Sequence, residues 1–343
     1  MKRYHIAAIP GDGIGPEVID AATFVLERAA ARHGFTAHVE RLPYGADHYL
    51  ATGETLPDSA FDHLKNDVDA ILLGAVGDPR VPGNEHARDI LLGLRFRLDL
   101  YVNLRPVTLL HPDLTPLKSG QPIDFVIFRE NTEGVYLGKG RISGHEYIAE
   151  EVNTSGGVER IIRAAFEHAT KHGRTRVTMS DKANAIPAHR VWQENFKRLA
   201  AEYPGITTEH RYVDALALEM VREPGRFQVI VTNNLYGDIL SDLGAGLVGG
   251  LGLAASANLH PGRPGLFEPV HGSAPPLAGK NVANPFAAIL TCAMMLNELG
   301  EADAAQALER AVRGALAAGI RTPDIGGSTG TREAARWVGE QIR

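Results

Sequence analysis

The chain has 343 residues, a formal net charge of −6, 44% hydrophobic and 22% charged residues. That length suits about two domains with a core that needs no covalent staples. The absence of a long basic block argues against a nucleic-acid partner, and the single cysteine, Cys292, excludes an internal disulfide or a cysteine-cluster metal site.

The chain starts directly on a short apolar strand, His5–Ile9, without a signal-peptide core. Pro16–His33 has the spacing of a helix, with Val18, Ala21, Ala22, Val25, Leu26 and Ala29 on one face. Thr36–Arg41 and Ala70–Leu73 are the next predicted strands. Asp124–Phe128, Arg176–Met179 and Gln228–Thr232 follow, all apolar or β-branched with turn residues nearby. Helical patterns occupy Val158–Lys171, Ala188–Glu202 and Ala304–Ala318. Strands alternating with helices predict an α/β architecture with mostly parallel pairing. No repeat or linker marks a contiguous domain boundary. The longest uncharged stretch, Leu243–Leu259, is broken by glycines and falls short of the ~20 apolar residues of a membrane span. The expectation is a soluble cytoplasmic protein with no membrane partner.

Five segments offer chemistry. Gly11-Asp12-Gly13-Ile14-Gly15-Pro16 lies between a strand and a helix, where glycines can cradle phosphate at a helix N-terminus. Its spacing departs from the dinucleotide fingerprint, so a tight strand-to-helix turn explains it equally well. Asp238 and Asp242 sit four residues apart after the strand ending at Thr232, on one face of a predicted helix. Two carboxylates so close favour a hard cation such as Mg²⁺ or Mn²⁺, though two solvated surface aspartates are the plainer reading. Arg95, Arg105 and Arg129 can bind carboxylates bidentately, yet each taken alone is most simply a surface arginine. Lys182, in Ser180-Asp181-Lys182-Ala183-Asn184, is either an acid/base or a solvated charge. Glu268-Pro269-Val270-His271-Gly272-Ser273-Ala274-Pro275 is polar and rigid, as a structural turn also would be.

Taken in order with Leu100–Pro106, Arg129–Gly134 and Asn234–Asp242, these segments resemble the β-decarboxylating dehydrogenases. Those act on isocitrate, 3-isopropylmalate, homoisocitrate, or tartrate and D-malate. The resemblance spans nearly the whole chain. It implies a two-domain, isopropylmalate-dehydrogenase-like α/β fold with a mixed sheet, not a Rossmann fold. Residues 1–99 plus 250–343 would form the cofactor-side domain, and 100–249 the dimerisation and metal/substrate domain. It also implies a homodimer with shared active sites.

By position, Arg95, Arg105 and Arg129 resemble the clamp on the substrate carboxylates. Asp238 and Asp242, with Asp214 of the partner subunit, resemble the ligands of Mg²⁺ or Mn²⁺. Lys182, also from the partner, resembles the base at the substrate hydroxyl, and Tyr136 the acid that protonates carbon after CO2 leaves. The resemblance puts the cofactor against Ile14, Gly74, Ala75, Asn184, Glu268, His271, Gly272, Ser273, Ala274, Pro275 and Asn284. NAD is expected because Pro276-Leu277 supplies no cation for a 2′-phosphate. Leu91 and Leu92, one helical turn before Arg95, favour a branched alkyl group. The implied reaction is oxidation of 3-isopropylmalate to 4-methyl-2-oxopentanoate and CO2, a step of leucine biosynthesis. Tartrate and D-malate enzymes keep a similar leucine pair, and their version of residues 130–134 is closer to this one, so that activity is the alternative. A catalytically inactive regulatory subunit is a further alternative, disfavoured by the complete residue set.

Overall fold

The computed structural model describes residues 2–118 and 120–343. The chain divides into two units, each discontinuous in sequence. One comprises the chain up to Asp99, Leu110–Leu114 and Gly249–Arg343; the other comprises Leu100–Leu109 and Thr115–Val248. The first unit opens with β1 (Arg3–Gly11), α1 (Gly15–His33), β2 (Thr36–Arg41), α2 (Ala46–Thr52), α3 (Asp58–Asn66), β3 (Ala70–Ala75) and α4 (Glu85–Arg97). The second contains β4 (Val102–Thr108), β5 (Asp124–Glu130), β6 (Gly140–Ser143), β7 (Glu146–Ala149), α5 (Ser155–Lys171), β8 (Arg176–Asp181), α6 (Arg190–Ala200), β9 (Thr207–Tyr212), α7 (Val213–Arg222), β10 (Val229–Thr232) and α8 (Asn234–Leu247). The chain then completes the first unit with β11 (Ala255–Leu259), β12 (Gly265–Pro269), α9 (Phe286–Glu298), α10 (Ala302–Ala317) and α11 (Thr331–Gln341).

In the first unit the strands run in the order β2-β1-β3-β12-β11, parallel except for the β11–β12 pair. In the second the order is β4-β5-β10-β8-β9, parallel except for β4–β5. The sheet is therefore mixed and the architecture α/β, as the alternating pattern predicts. β3 and β10 are buried along their whole length, which is why they read as continuous apolar runs rather than alternating ones. The periodic face of α1 is buried throughout; Pro16 lies in its first turn and Gly34, at φ 77°, ends it.

Most predicted elements differ by a few residues at their ends, and some differences are structural. Residues 187–189 form a separate 3-10 turn before α6, which stops at Ala200. Gln228 lies outside β10, and its side-chain carbonyl instead accepts the Thr175 and Arg176 N–H groups. The glycine-rich passage after Leu243 is partly helical, since α8 includes Gly244 and Gly246. A Cβ on Gly244 would come within 2.7 Å of Val107, so the glycine lets α8 lie directly on β4. Phe125, Ile127, Ile230, Leu216 and Leu240 lock β5, β10, α7 and α8 into one core. No helix among the described residues is long and apolar enough to cross a membrane.

Candidate active site

Parallel strands deliver their carboxyl ends to one edge of a sheet, where loops collect functional groups. In the second unit β5 ends at Glu130, β8 at Asp181 and β10 at Thr232, with Thr232 in register with Arg129. Helix α8 starts from that edge. Its N-cap is Asn233, whose side chain accepts the Tyr236 N–H at 2.9 Å. Asp238 and Asp242 follow on successive turns.

Arg129 runs against α8 at Gly237, where a Cβ would approach the arginine side chain to 2.6 Å. Only glycine admits that crossing. The Arg129 Nε donates to Asn234 Oδ1 at 2.9 Å, and its Nη1 meets Asp238. Arg105, on β4, donates to Asn103 at 2.8 Å and to Ser241 at 3.3 Å. Its guanidinium lies 4.0 Å from Asp238 and 3.9 Å from Asp242. Tyr136, on the 3-10 turn Gly134–Leu137, donates its hydroxyl to Asp238 Oδ2 at 2.7 Å. Five residues selected from the sequence thus converge. The guanidiniums are buried, whereas 37% of the Asp238 side chain and 55% of the Asp242 side chain remain exposed. Burial pushes the Asp242 carboxyl above its ordinary range; the Arg105 charge opposes that shift and the Asp238 charge adds to it.

Lys182 follows β8, and its ammonium pairs with Asp214 at the start of α7. That pairing holds the Asp214 carboxyl below its usual range. Within one chain Asp214 does not join Asp238 and Asp242: among the described residues the one tight group of three metal-ligating side chains is His5, Glu40 and His63. Asn184 lies exposed two residues beyond Lys182.

The first unit holds the other selected residues. Leu91 and Leu92 are half-buried on α4, beside the buried Ile90 and Leu94. Arg95 donates from Nη2 to Glu268 Oε1 at 2.6 Å, both groups being almost wholly buried. Asn258 donates to the same oxygen at 3.0 Å. The Arg95 Nε is buried without a partner. The Ile14 N–H donates to the Ser273 carbonyl at 2.8 Å, and the Asp12 N–H to the Ala75 carbonyl at 2.6 Å. A Cβ on Gly13 would come within 1.9 Å of the Ser273 carbonyl, and one on Gly74 within 2.2 Å of the Pro10 carbonyl. These glycines serve close backbone packing, which the missing dinucleotide spacing foreshadows. Ser273 donates its hydroxyl to the Gly77 carbonyl at 2.5 Å, and Asn284 donates to Asp324 at 3.0 Å.

The segment around His271 has features that suit a ligand. Ala274 adopts a left-handed conformation at φ 38° before Pro275, an arrangement costly for a residue with a side chain. Gly272 faces open space. The His271 Nε2 is buried with no hydrogen-bond partner, and burial holds that imidazole below its ordinary range.

Several supporting residues carry no functional signal in the sequence. Asp12 is buried and accepts the Ala46 N–H at 2.6 Å, the Gly77 N–H at 2.7 Å and His86 Nε2 at 2.8 Å. Glu130 accepts the Thr132 and Glu133 N–H groups, and burial pushes its carboxyl up to about 7. His189 Nδ1 accepts the Lys182 N–H at 3.1 Å, so its Nε2 carries the hydrogen that Glu151 accepts at 2.9 Å. The same Glu151 oxygen accepts from Asn233 at 2.9 Å. This chain of bonds ties the Lys182 turn to the N-cap of α8. Histidine and glutamate so far apart in sequence give no local signal of their pairing.

The family model described as isocitrate/isopropylmalate dehydrogenase matches residues 5–342. A 3-isopropylmalate dehydrogenase of Thermobifida fusca is 46% identical over 321 residues, covering 91% of this chain and 90% of that protein. One from Clavibacter sepedonicus is 47% identical, covering 92% of each chain. The crystal structure of isocitrate dehydrogenase from Methylococcus capsulatus superposes with a TM-score of 0.91 at 40% identity, covering 99% of both chains. The TT0538 protein from Thermus thermophilus gives 0.90 at 36% identity, covering 99% of this chain and 68% of that one. The chain belongs to the isocitrate/isopropylmalate dehydrogenase family.

Proposed function

We propose that this oxidoreductase catalyses the oxidative decarboxylation of 3-isopropylmalate to 4-methyl-2-oxopentanoate and CO2, with NAD as hydride acceptor and Mg²⁺ or Mn²⁺ as the required cation. The observation that carries the reading is the convergence of Arg105, Arg129 and Tyr136 on Asp238 and Asp242. Buried cations beside partly exposed carboxylates make a site that takes both an anionic substrate and a metal ion.

The donor set fits a hard divalent ion. Asp238 and Asp242 would hold it, with Asp214 supplied by the partner subunit. An ion held there would supply Lewis-acid polarisation of the C2 oxygen and charge stabilisation during loss of CO2. The open, unpartnered surroundings of His271 fit NAD, which Ile14, Gly74, Ala75, Glu268, Gly272–Pro275 and Asn284 would help hold, with Asn184 from the partner. Bound there, NAD would supply the acceptor for the C2 hydride.

The remaining work falls to this chain's own side chains. Arg105 and Arg129 are held by Asn103, Ser241 and Asn234, so they meet the carboxylates without losing rotamer freedom. Arg95 keeps its unpartnered Nε donor for the same diacid. Lys182 of the partner takes the C2 hydroxyl proton. Tyr136 gives its hydroxyl proton to C3 once the carboxylate has left as CO2. Leu91 and Leu92 provide an apolar contact for the isopropyl group. A homodimer is supported by apolar side chains left exposed on the second unit: Ile142 and Tyr147 on the β6–β7 hairpin at 75% and 74%, and Leu218 on α7 and Ile239 on α8. The cytoplasm, where NAD is available, is the compartment in which this activity would operate.

The deciding experiment assays 3-isopropylmalate, D-malate, tartrate and isocitrate with NAD and with NADP, following CO2 release. The highest kcat/KM is expected for 3-isopropylmalate with NAD, abolished by EDTA and restored by Mg²⁺ or Mn²⁺. Equal or better turnover of D-malate or tartrate would replace the substrate and keep the chemistry. Full activity in EDTA would remove the metal.

A further inference from the structure

Strand pairing and one helix bring together three metal-ligating side chains that the candidate active site does not use. β1 and β2 pair in parallel with His5 opposite His38. Alternation along β2 then puts Glu40 on the same face as His38. His63 reaches this face from α3, whose Phe61 and Leu64 are buried. The His5 Nε2 lies 2.9 Å from Glu40 Oε2, and the His63 Nε2 lies 2.8 Å from the same oxygen. All three ligand atoms lie within 4.8 Å of one another.

The outer nitrogens decide what this cluster needs. The His5 Nδ1 lies 3.0 Å from the Asp67 carbonyl, and the His63 Nδ1 lies 3.1 Å from the Asp67 carboxylate. Both partners are acceptors, so both Nδ1 atoms carry hydrogen. In neutral imidazoles both Nε2 atoms are then bare lone pairs. Two bare nitrogens and a carboxylate oxygen therefore converge with no hydrogen between them. Two extra protons or one cation must fill that point. The arrangement is also that of ligated histidines, whose far N–H groups are held by a carboxylate or a carbonyl that fixes the tautomer.

We propose that His5, Glu40 and His63 form a binding site for a borderline transition-metal ion, with Zn²⁺ the best fit, distinct from the Asp238–Asp242 centre. Two imidazoles and one carboxylate select such ions over Mg²⁺. Tetrahedral bonds of about 2.05 Å put ligand atoms roughly 3.3 Å apart, so each contact opens by about 0.5 Å, which half-exposed side chains can supply. The side chains are 28% to 36% exposed, which lets water complete the coordination. An ion there would cross-link β1, β2 and α3 of the first unit. It takes no part in the dehydrogenase chemistry.

Zn²⁺ is titrated calorimetrically into the full-length protein in saturating Mg²⁺, comparing wild type with His63→Gln. Wild type is expected to bind one more Zn²⁺ per chain than the variant, while the two share the same Mg²⁺-supported dehydrogenase activity. Asp67→Asn keeps the stoichiometry and weakens this site by roughly tenfold. Binding of Co²⁺ to wild type is expected to shift the imidazole protons of His5 and His63 in the NMR spectrum, a readout that needs no variant to fold. Equal Zn²⁺ stoichiometry and affinity in wild type and His63→Gln, or unshifted His5 and His63 protons, would overturn the site and leave two protonated imidazoles as the filling.

Discussion

The two units treat buried charge differently. In the first, Arg95 and Glu268 close on each other with 6% and 8% of their side chains exposed, and Asp12 is saturated by two backbone N–H groups and His86. In the second, Arg129 and Arg105 are equally buried, at 2% and 7%, but the carboxylates they face are open to solvent. A closed pair fixes shape and has little left to offer, whereas a buried cation beside an open carboxylate has more capacity for a ligand. Enclosed charge therefore serves mainly as framework here, with only the Arg95 Nε left for a ligand, and half-enclosed charge serves chemistry.

The sharpest way to break that contrast is to remove groups from each class and ask whether activity or stability responds. Lys182→Ala is expected to lower kcat by about 10²–10⁴ with little change in unfolding free energy; near wild-type kcat in steady-state assays would take Lys182 out of the reaction. Glu268→Ala strands Arg95 as a buried unpaired cation, and urea unfolding should register a loss of about 3–5 kcal/mol. Asp242→Asn is the counterpart on the open side. It relieves repulsion from Asp238, so its unfolding free energy should stay within about 0.5 kcal/mol of wild type while activation by Mg²⁺ is lost. If Glu268→Ala proves harmless and Asp242→Asn unfolds the protein, the contrast is wrong.

How far the sequence foretells this depends on whether a residue's partner is local. α1 is legible because its apolar face, Pro16 and Gly34 all lie within one helix. β3 and β10 are legible as short apolar runs. α9 gives no period because it is buried nearly all round, and β11 and β12 carry too little alternation to stand out. The divide at Asp99 has no compositional mark, whereas the one at Val248 falls within the glycine-rich passage 244–252. At the site, Asp238 and Asp242 announce themselves by helical spacing. Asp12, Glu130, His86 and the His189–Glu151 bond do not, because each depends on contacts that only the folded sheet creates.

A half-buried ionisable group without an opposite charge gives a third class, and acid tests it. His168, on α5, packs its ring against Phe128 and His172. Burial, reinforced by the positive groups His172, Arg174 and Lys171, holds its imidazole down at about 4. The unfolded chain takes up the proton near pH 6.5 while the folded one stays neutral. The unfolded state therefore binds more protons between those values, and stability falls as pH falls through that window. From pH 6.5 to pH 5 the loss from this one group is about 1.5 kcal/mol. His168→Leu should remove that component, so its unfolding free energy should decline less than that of wild type over the same interval. Parallel declines would place the acid sensitivity elsewhere.

The smallest effect concerns the half-buried leucines of α4, which carry no charge and belong to neither class. If Leu92 meets the alkyl group of the substrate, Leu92→Ala removes apolar contact in the transition state without touching the clamp or the proton-transfer groups. The cost should be about 1–2 kcal/mol, read as a roughly tenfold fall in kcat/KM for 3-isopropylmalate. D-malate has no alkyl branch to lose, so its kcat/KM should change little, and the ratio between the two substrates is the measurement. That ratio is insensitive to a general loss of folded enzyme, which lowers both activities together. A fall of equal size for both substrates would mean that Leu92 acts by supporting the position of Arg95, three residues along the same helix, rather than by touching the alkyl group.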